Sequence, residues 1–481
     1  MSWLPEKPGR AERTWVLALL GLALALRVGF VLFQQPGFYF EDSLDYDRAA
    51  RALVTTGHFD GDYYRFPLYP VILAGSYRAF GPALTPFRII QALLGTGICL
   101  FIWILGRRLF GPRTALLALL GAGVFPVHVV LVGIEYPVVI GTFLIWGVFV
   151  HVFGSATAGS RSSFTWTLTG IGAALAALLF EGGFILVFFL LLCLFPQGRP
   201  TGFKLRSVAA MGIACMVVLA PWIYGMIRAG NYRAVVLRAG IHLPTAPGVV
   251  PPLWEGNGGN LLMTKLAGMA QSPWWTIRHA WAEFLHFWNP YPDRLASADE
   301  KFREQLHDKD KRMVVRNSLV GDLPRKLYAA GFILLLLAAG AGALVVINRV
   351  PGTGFLVAWP IILGACYAPF FTQMRYRIPA DPAFILLGAY ALELTLQRSL
   401  WTGVRESLKA LWEGWKRIAA RIAVVQTFIL LFILFGVALG PIALLMRLCR
   451  KDPMHAPRFA GSFWVIRERT RERMEECLKQ F

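Results

Sequence analysis

Long runs of apolar residues, separated by short polar or basic turns, recur along most of the chain. Many of these runs reach or approach the roughly 20 residues that a helix needs to cross a bilayer. They lack the strict alternation of a strand in a membrane barrel, and an open sheet cannot satisfy its backbone hydrogen bonds in lipid. The pattern therefore predicts an all-α polytopic membrane protein with about 10–12 transmembrane helices.

The hydrophobic pattern also predicts the order of the elements. Membrane helices are predicted near residues 15–33, 86–105, 115–133, 137–154, 207–226, 327–347, 354–372 and 379–397. The run at 165–195 is too long for one crossing and is interrupted by Glu181-Gly182-Gly183, so it predicts two short helices with a break between them. A Trp/Leu stripe at 400–422 predicts an amphipathic helix in the membrane interface.

A last apolar run covers 423–446 and precedes a basic tail. A single crossing would leave that tail outside, against the preference of basic residues for the cytoplasm. Either this run re-enters the membrane or the count of spans is off by one, and the sequence leaves both open.

Four segments follow from this pattern. They are an N-terminal transmembrane core (1–227), a polar segment rich in Trp, Gly and Pro (228–326), a C-terminal part of the core (327–399) and a terminal module (400–481). Basic residues before the first span predict a cytoplasmic N-terminus, an external loop at 36–66 and, by alternation, an extracytoplasmic cap at 228–326. We find no internal repeat of fixed period.

Composition adds a strong positive charge to this picture. The 481 residues are 56% hydrophobic and carry a formal net charge of +20. Basic residues in cytoplasmic loops account for most of it, and attraction to anionic lipid phosphate is the second interpretation. No basic segment lies on a module that reads nucleic acid, which argues against that partner. The six cysteines show no metal-ligand spacing and are typical of small buried hydrophobes.

An acidic cluster stands out on this basic chain, just after the first span. It contains Glu41, Asp42, Asp45 and Asp47 at the start of a segment, 43–55, whose spacing predicts an amphipathic helix that ends before Gly57. A carboxylate beside a substrate hydroxyl can accept its proton as the oxygen attacks. The same residues would also serve simply to solvate a loop, and composition alone does not exclude this.

The spacing around this cluster supports the first interpretation. Asp42, Tyr46, Ala50, Leu53 and Gly57 are followed by an Arg-x-Pro-Leu-Tyr-Pro segment that begins at Arg65. This arrangement resembles the first external loop of the GT-C glycosyltransferases, in particular the branch with protein O-mannosyltransferases and the aminoarabinose transferase of lipid A. Further similar segments are Phe125-Pro126 to Glu135, Ala220-Pro221-Trp222, Phe284 to Pro290 and Arg375-Tyr376-Arg377-Ile378-Pro379. Together they cover roughly residues 15–397.

The resemblance implies roles for individual residues. Asp42 matches the catalytic base, with Glu41 and Glu135 as possible support. Arg65, Arg375 and Arg377 would bind the donor phosphate, and Tyr46, Tyr69 and His58 would line the substrate pocket. Guanidinium groups where a helix meets the interface suit bidentate phosphate binding, although arginines there also serve as interfacial anchors. A glutamate at a helix end is often solvated, so Glu135 has a second interpretation. Glu181 is interpreted as a helix-break or buried paired residue rather than a catalytic one.

The resemblance implies a GT-C glycosyltransferase of the bacterial inner membrane with its active site on the periplasmic side. It would move a sugar from a polyprenyl-phosphate donor to the hydroxyl of a lipid, polysaccharide or protein acceptor, with inversion at the anomeric carbon. Membrane lipids are the other expected partners. No cofactor is predicted with certainty, and a divalent cation between Asp42 and Glu135 stays open. The sequence contains neither a P-loop nor a dinucleotide fingerprint.

Two other classes of function stay open. A transporter or flippase of a lipid-linked glycan would also explain a polytopic core with basic residues, but such proteins usually contain paired repeats. A non-catalytic assembly scaffold would rest on the C-terminal tail. That tail, with Gly440-Pro441, Phe463-Trp464 and Gln480-Phe481, resembles small membrane proteins of the SxtJ type, which suggests an appended docking module.

Overall fold

A computed structural model describes most of the chain. The described residues are 8–34, 38, 41–59, 65–153, 163–194, 201–228, 243–249, 258–290, 322–370, 372–433, 441, 445, 448 and 449. They form helices joined by turns, with no β-strand among them. The chain divides into two compact units, Met1–Ser407 and Leu408–Phe481. The SxtJ-like tail and most of the last apolar run after residue 433 lie outside the described residues.

Ten helices occupy the described part of the first 228 residues. They are α1 (Arg10–Phe33), α2 (Glu41–Thr55), α3 (Leu68–Phe80), α4 (Leu84–Leu109), α5 (Pro112–Val124), α6 (Pro126–Val130), α7 (Val138–Phe153), α8 (Ser163–Ala177), α9 (Gly182–Leu194) and α10 (Thr201–Arg228). A 3₁₀ turn, Leu131–Gly133, extends α6. Helix α3 is absent from the predicted elements because Pro67 and Pro70 at its start interrupt the apolar pattern.

Seven helices follow in the described remainder. They are α11 (Gly258–Gln271), α12 (Pro273–Phe287), α13 (Asp322–Arg349), α14 (Gly354–Tyr367), α15 (Met374–Arg377), α16 (Asp381–Leu396) and α17 (Leu400–Ile433). A 3₁₀ turn, Ile378–Ala380, joins α15 to α16. Helices α11 and α12 fall in the predicted cap, of which 229–242, 250–257 and 291–321 lie outside the described residues.

The prediction of a polytopic helical membrane protein is confirmed. Five described helices are long and apolar enough to cross a membrane: α1, α4, residues Leu205–Arg228 of α10, Lys326–Arg349 of α13, and Met374–Leu396. The bent pair formed by α5 and the α6 segment makes a sixth if it is one span, and four apolar helices are shorter. The predicted break in the 165–195 run is also confirmed, because α8 ends at Ala177 and α9 begins at Gly182.

A buried arginine stabilises the bend between α5 and α6. The two segments meet at 55° where Pro126 interrupts the helix, which leaves carbonyl groups at the end of α5 without partners in their own helix. The guanidinium of Arg27, fully buried in α1, donates to the carbonyl oxygens of Ala122 and Gly123 at 3.1 and 3.0 Å. A charged donor in the bundle interior therefore caps the broken helix, as polar groups at membrane depth must find partners.

Helix α2 lies against α3 through a buried carboxylate. Asp47 accepts hydrogen bonds from the hydroxyl of Tyr77 at 2.6 Å and from Nε of Arg51 at 2.9 Å. Its side chain is 2% exposed, so Asp47 holds two helices together rather than solvating a loop. Gly57, with a φ of +78°, allows the chain to turn after α2 in a conformation that other residues rarely adopt. The predicted helix and its glycine stop are both confirmed.

Candidate functional site

Asp42 lies in the first turn of α2, where the helix dipole favours a negative charge. Its Oδ1 accepts a hydrogen bond from Nη2 of Arg65 at 2.8 Å, and its Oδ2 lies 3.2 Å from Nη1 of Arg375. These two arginines are 310 positions apart in the chain, so folding brings distant segments to one carboxylate. Both oxygens of Asp42 face a cation.

The charge state of Asp42 follows from these contacts. Burial has the largest effect and by itself raises the pKa of Asp42. The charges of Arg65 and Arg375, with hydrogen bonds from Arg65 and Tyr136, outweigh burial, so the net pKa lies below the ordinary value. Burial raises the pKa of Tyr136 well above its ordinary value, so its hydroxyl stays protonated and can donate to Asp42. The carboxylate is ionised at neutral pH.

Arg65 joins the segment before α3 to the first two turns of α2. Besides Asp42 it contacts Oδ2 of Asp45 at 2.6 Å, and its guanidinium lies 5.5 Å from the centre of the Tyr46 ring. Tyr46 in turn makes an edge contact with Tyr69, with ring centres 4.8 Å apart. The predicted pocket residues Tyr46 and Tyr69 are therefore buried next to Arg65.

Arg375 lies on α15 between two aromatic rings. Its guanidinium is 4.8 Å from the ring centre of Tyr136 and 5.4 Å from that of Tyr376. The turn after it is fixed by two tryptophans, because the indole nitrogens of Trp146 and Trp359 both donate to the carbonyl of Pro379, at 2.9 and 3.0 Å. Helices α7 and α14 thus set the position of Arg375.

Glu135 lies beside the Asp42 cluster, but its carboxylate faces the interior. Nε of Arg88 in α4 donates to Oε1 of Glu135 at 2.5 Å, and both side chains are buried. Its backbone carbonyl accepts a hydrogen bond from the hydroxyl of Ser43 at 2.8 Å, which ties this loop to α2. Glu135 therefore has a packing role next to the site, and its support of catalysis stays a prediction.

Three other predicted residues have different surroundings. Arg377 is buried and donates to the carbonyl of Asn289 at 2.6 Å and to the hydroxyl of Tyr328 at 3.2 Å, with Asp381 3.5 Å away. No contact that we observe joins Arg377 to Asp42. His58 is exposed after the end of α2. The backbone of Glu41 begins α2, and its side chain lies outside the described part of the chain.

Sequence reasoning predicted Tyr46 and Tyr69 but missed two other tyrosines of this site, Tyr136 and Tyr376. Tyr136 follows Glu135 directly, and Tyr376 follows Arg375, so both stand next to residues that the pattern identified. Their position next to Glu135 and Arg375 is the signal that could have identified them. Tyrosine itself is common at membrane interfaces and shows no specific spacing.

The described residues do not suit a cation between Asp42 and Glu135. Asp42 faces Arg65 and Arg375, and Glu135 faces Arg88. Among the residues that the structure describes, no group of three His, Cys, Asp or Glu side chains lies close enough to hold a metal ion. We derive no step through a metal.

Comparison with known proteins agrees with this architecture. Residues 65–225 match the family model described as dolichyl-phosphate-mannose-protein mannosyltransferase. No curated protein sequence matches the chain.

Two solved structures are similar to this chain. ArnT from Cupriavidus metallidurans, bound to undecaprenyl phosphate, is 16% identical with a TM-score of 0.50, over 81% of this chain and 62% of that one. AglB, the oligosaccharyltransferase from Archaeoglobus fulgidus in complex with an inhibitory peptide and a dolichol-phosphate, is 14% identical with a TM-score of 0.47, over 84% of this chain and 54% of that one.

The match to ArnT concerns the fold. The predicted resemblance and the predicted GT-C fold are confirmed: this is a polytopic membrane protein with the fold of the GT-C glycosyltransferases. The chain spans 62% of the length of ArnT, so more than a third of that protein has no counterpart in the match.

Proposed function

We propose that this protein transfers a sugar from a polyprenyl-phosphate donor to an acceptor hydroxyl, with Asp42 as general base. One observation carries the proposal. A carboxylate at the start of an interfacial helix is paired with two arginines from distant parts of the chain, Arg65 and Arg375, within a GT-C fold. The acceptor is a lipid, a polysaccharide or a protein, and we propose the bacterial inner membrane and its periplasmic side as the location.

The two arginines suit the donor phosphate. Guanidinium groups bind phosphate oxygens through paired hydrogen bonds, and Arg375 is held between two rings that limit its orientations. A phosphate anion would compete with Asp42 for the same two cations. Donor binding then draws the arginines from the carboxylate, so its proton affinity rises when a substrate is in place.

The chemical step follows from this arrangement. Asp42 accepts the proton of the acceptor hydroxyl as the acceptor oxygen forms a bond to the anomeric carbon. The bond between that carbon and the phosphate oxygen breaks, and its electron pair goes to the phosphate. Arg65 and Arg375 stabilise the charge that develops there. Attack from the face opposite the leaving group inverts the anomeric centre, and polyprenyl phosphate is released. Arg377 keeps its buried partners and has no direct role in this scheme.

An apolar cavity next to Arg375 suits the isoprenoid chain of the donor. Its volume is about 790 Å³, and Met374, the neighbour of Arg375, is among its lining residues. The other lining side chains come from 117–131, 327–338 and 385–392 and are apolar except for Tyr328. A prenyl chain that enters this cavity would leave its phosphate near the two arginines, and burial of apolar surface would contribute to donor affinity.

Transfer by the purified protein tests this function. We expect wild type to move a sugar from at least one undecaprenyl-phosphate sugar to an acceptor, and Asp42→Asn to lose activity by a factor of about 10²–10⁴ while it still binds undecaprenyl phosphate. The matched control is Glu12→Gln. Glu12 lies in the first turn of α1 and pairs with Arg107 rather than with an arginine of the site, so this variant should transfer normally.

Two outcomes would reject parts of the proposal. Full transfer by Asp42→Asn would remove Asp42 as the base. Movement of the lipid-linked sugar across a vesicle membrane without any transfer would favour the flippase instead.

A further inference from the structure

The break between α8 and α9 contributes to the same region as Arg65. The backbone nitrogen of Leu68, three residues after Arg65, donates to the carbonyl of Leu178 at 3.1 Å. Glu181 ends the break, and its carbonyl accepts a hydrogen bond from the nitrogen of Phe184 at the start of α9. The segment 178–184 therefore packs beside the arginine that contacts Asp42.

Glu181 also interacts with residues around Arg375, the second arginine that contacts Asp42. It lies within electrostatic range of Tyr367 and Tyr376, whose rings stack with centres 4.6 Å apart. The hydroxyl of Tyr376 interacts in addition with Arg375 and with Asp42. Tyr376 thus interacts electrostatically with both Glu181 and Asp42, so Glu181 belongs to the surroundings of the proposed active site.

Aromatic rings cluster beside Glu181. The ring of Phe66, next to Arg65, lies 6.1 Å from Phe184 and 6.0 Å from Trp222 of α10. Phe66 and Trp222 are partly accessible and Phe184, whose backbone nitrogen donates to the Glu181 carbonyl, is 43% exposed, so accessible ring surface belongs to the same segment as Glu181. A carboxylate that accepts hydrogen bonds from hydroxyl groups, beside ring faces that contact C–H groups, suits a sugar ring.

We propose that Glu181, with the aromatic cluster of Phe66, Phe184 and Trp222, binds the sugar of the donor and selects sugars that present hydroxyl or amino groups over sugars that carry a carboxylate. This proposal rests on the proposed function. Glu181 accepts hydrogen bonds from hydroxyl or ammonium groups, whereas a uronic acid brings a second negative charge to it. The arginines hold the phosphate and Glu181 contacts the sugar beyond it, so the donor binds in one orientation, with its sugar toward the break.

Binding measurements on the purified full chain test the assignment. The probes are undecaprenyl phosphate alone and the same lipid phosphate carrying glucose, glucosamine or glucuronic acid. We expect wild type to bind the glucose or glucosamine form more tightly than bare undecaprenyl phosphate, and the glucuronic acid form no more tightly. Glu181→Gln should weaken binding of the preferred form by about tenfold or more and leave the affinity for bare undecaprenyl phosphate unchanged. Glu12→Gln should change neither affinity.

A second variant keeps the test decisive if Glu181→Gln does not fold. Phe184→Ala removes an exposed ring from the same cluster and should likewise reduce only the sugar-dependent part of the affinity. Equal losses for bare and sugar-bearing lipid, no loss for either, or a wild-type preference for glucuronic acid would overturn the proposal. Failure of wild type to bind bare undecaprenyl phosphate would instead reject the proposed function, and this inference with it.

Discussion

Asp42 is surrounded by groups that stabilise its charged form. Arg65 and Arg375 each form an ion pair with one of its oxygens, and Tyr136 donates a further hydrogen bond. A carboxylate in this state is ionised but is a weak base, because its neighbours already stabilise the anion. Without a ligand, Asp42 is therefore well stabilised but weakly basic. An anion that competes for the two arginines is needed to raise its proton affinity.

The lowered pKa makes stability depend on pH in a defined direction. Because folding lowers the pKa of Asp42 from its ordinary value of 3.8, its charge stabilises the fold above that pH and loses the effect as pH falls through the lower folded value. We expect Asp42→Asn to be less stable than wild type by about 1–3 kcal/mol near neutral pH. The difference in thermal unfolding midpoint between the two should shrink below pH 3.8. A difference that grows on acidification would contradict this account.

Individual residues differ in how far sequence could predict them. The resemblance implies that Asp42, Arg65 and Arg375 belong to one site, and the fold brings them into direct contact. Their catalytic and phosphate-binding roles stay predictions. Glu135 and Arg377 were selected by the same resemblance, but their partners, Arg88 and Asn289, lie on segments whose proximity no local pattern reveals. Contacts across the fold, not residue type, decide which charged group faces the site.

At the scale of elements, α2 carries Asp42, the proposed general base, and must be held firmly. Its sequence predicts an amphipathic helix correctly, because charges and alanines alternate at helical spacing before Gly57. The partner of that helix could not be predicted, because α3 begins with prolines and has no clear signal of its own. The buried bond between Asp47 and Tyr77 makes the connection.

Removal of that bond should loosen α2. Tyr77→Phe removes a hydrogen bond of 2.6 Å from the buried carboxylate of Asp47 and should destabilise the protein by about 1–3 kcal/mol. A thermal unfolding scan in detergent measures the effect. Tyr224→Phe, in an exposed position of α10, is the matched control and should unfold like wild type. If both variants unfold at the same temperature, Asp47 does not contribute as we describe.

At the scale of the whole molecule, helix α12, which falls in the predicted cap, connects to the segment before Arg375. One face of α12 exposes Trp274, Ile277, Trp281 and Leu285, a composition typical of a membrane interface. The other face carries Glu283, whose carboxylate accepts hydrogen bonds from the nitrogen and the hydroxyl of Thr372 at 2.8 and 2.6 Å. The sequence predicts interfacial helices in this region. It does not reveal the contact between Glu283 and Thr372, because these two residues are 89 positions apart in the chain.

We expect this connection to link α12 to the proposed donor site. Thr372→Val keeps the shape of the side chain but removes the hydroxyl that contacts Glu283 and His286. Because Arg375 follows three residues later, we expect a weaker affinity for undecaprenyl phosphate, by about tenfold, together with a lower thermal midpoint. Thr402→Val, where the hydroxyl only contacts a nearby carbonyl at the start of α17, should leave the affinity intact. An unchanged affinity in Thr372→Val would show that the contact between α12 and Thr372 does not influence binding at the proposed donor site.

The hydrogen bonds from Trp146 and Trp359 to the carbonyl of Pro379 have a consequence for how donors with different sugars would bind. Because α7 and α14 hold this turn from two directions, we expect the backbone of Arg375 to keep one level along the bundle axis when a ligand binds. Every lipid-linked sugar would then bind with its phosphate at the same depth in the membrane. Donors that share a lipid would differ only beyond that level, so a change of sugar preference requires substitutions around the break at residue 181 and not around the arginine.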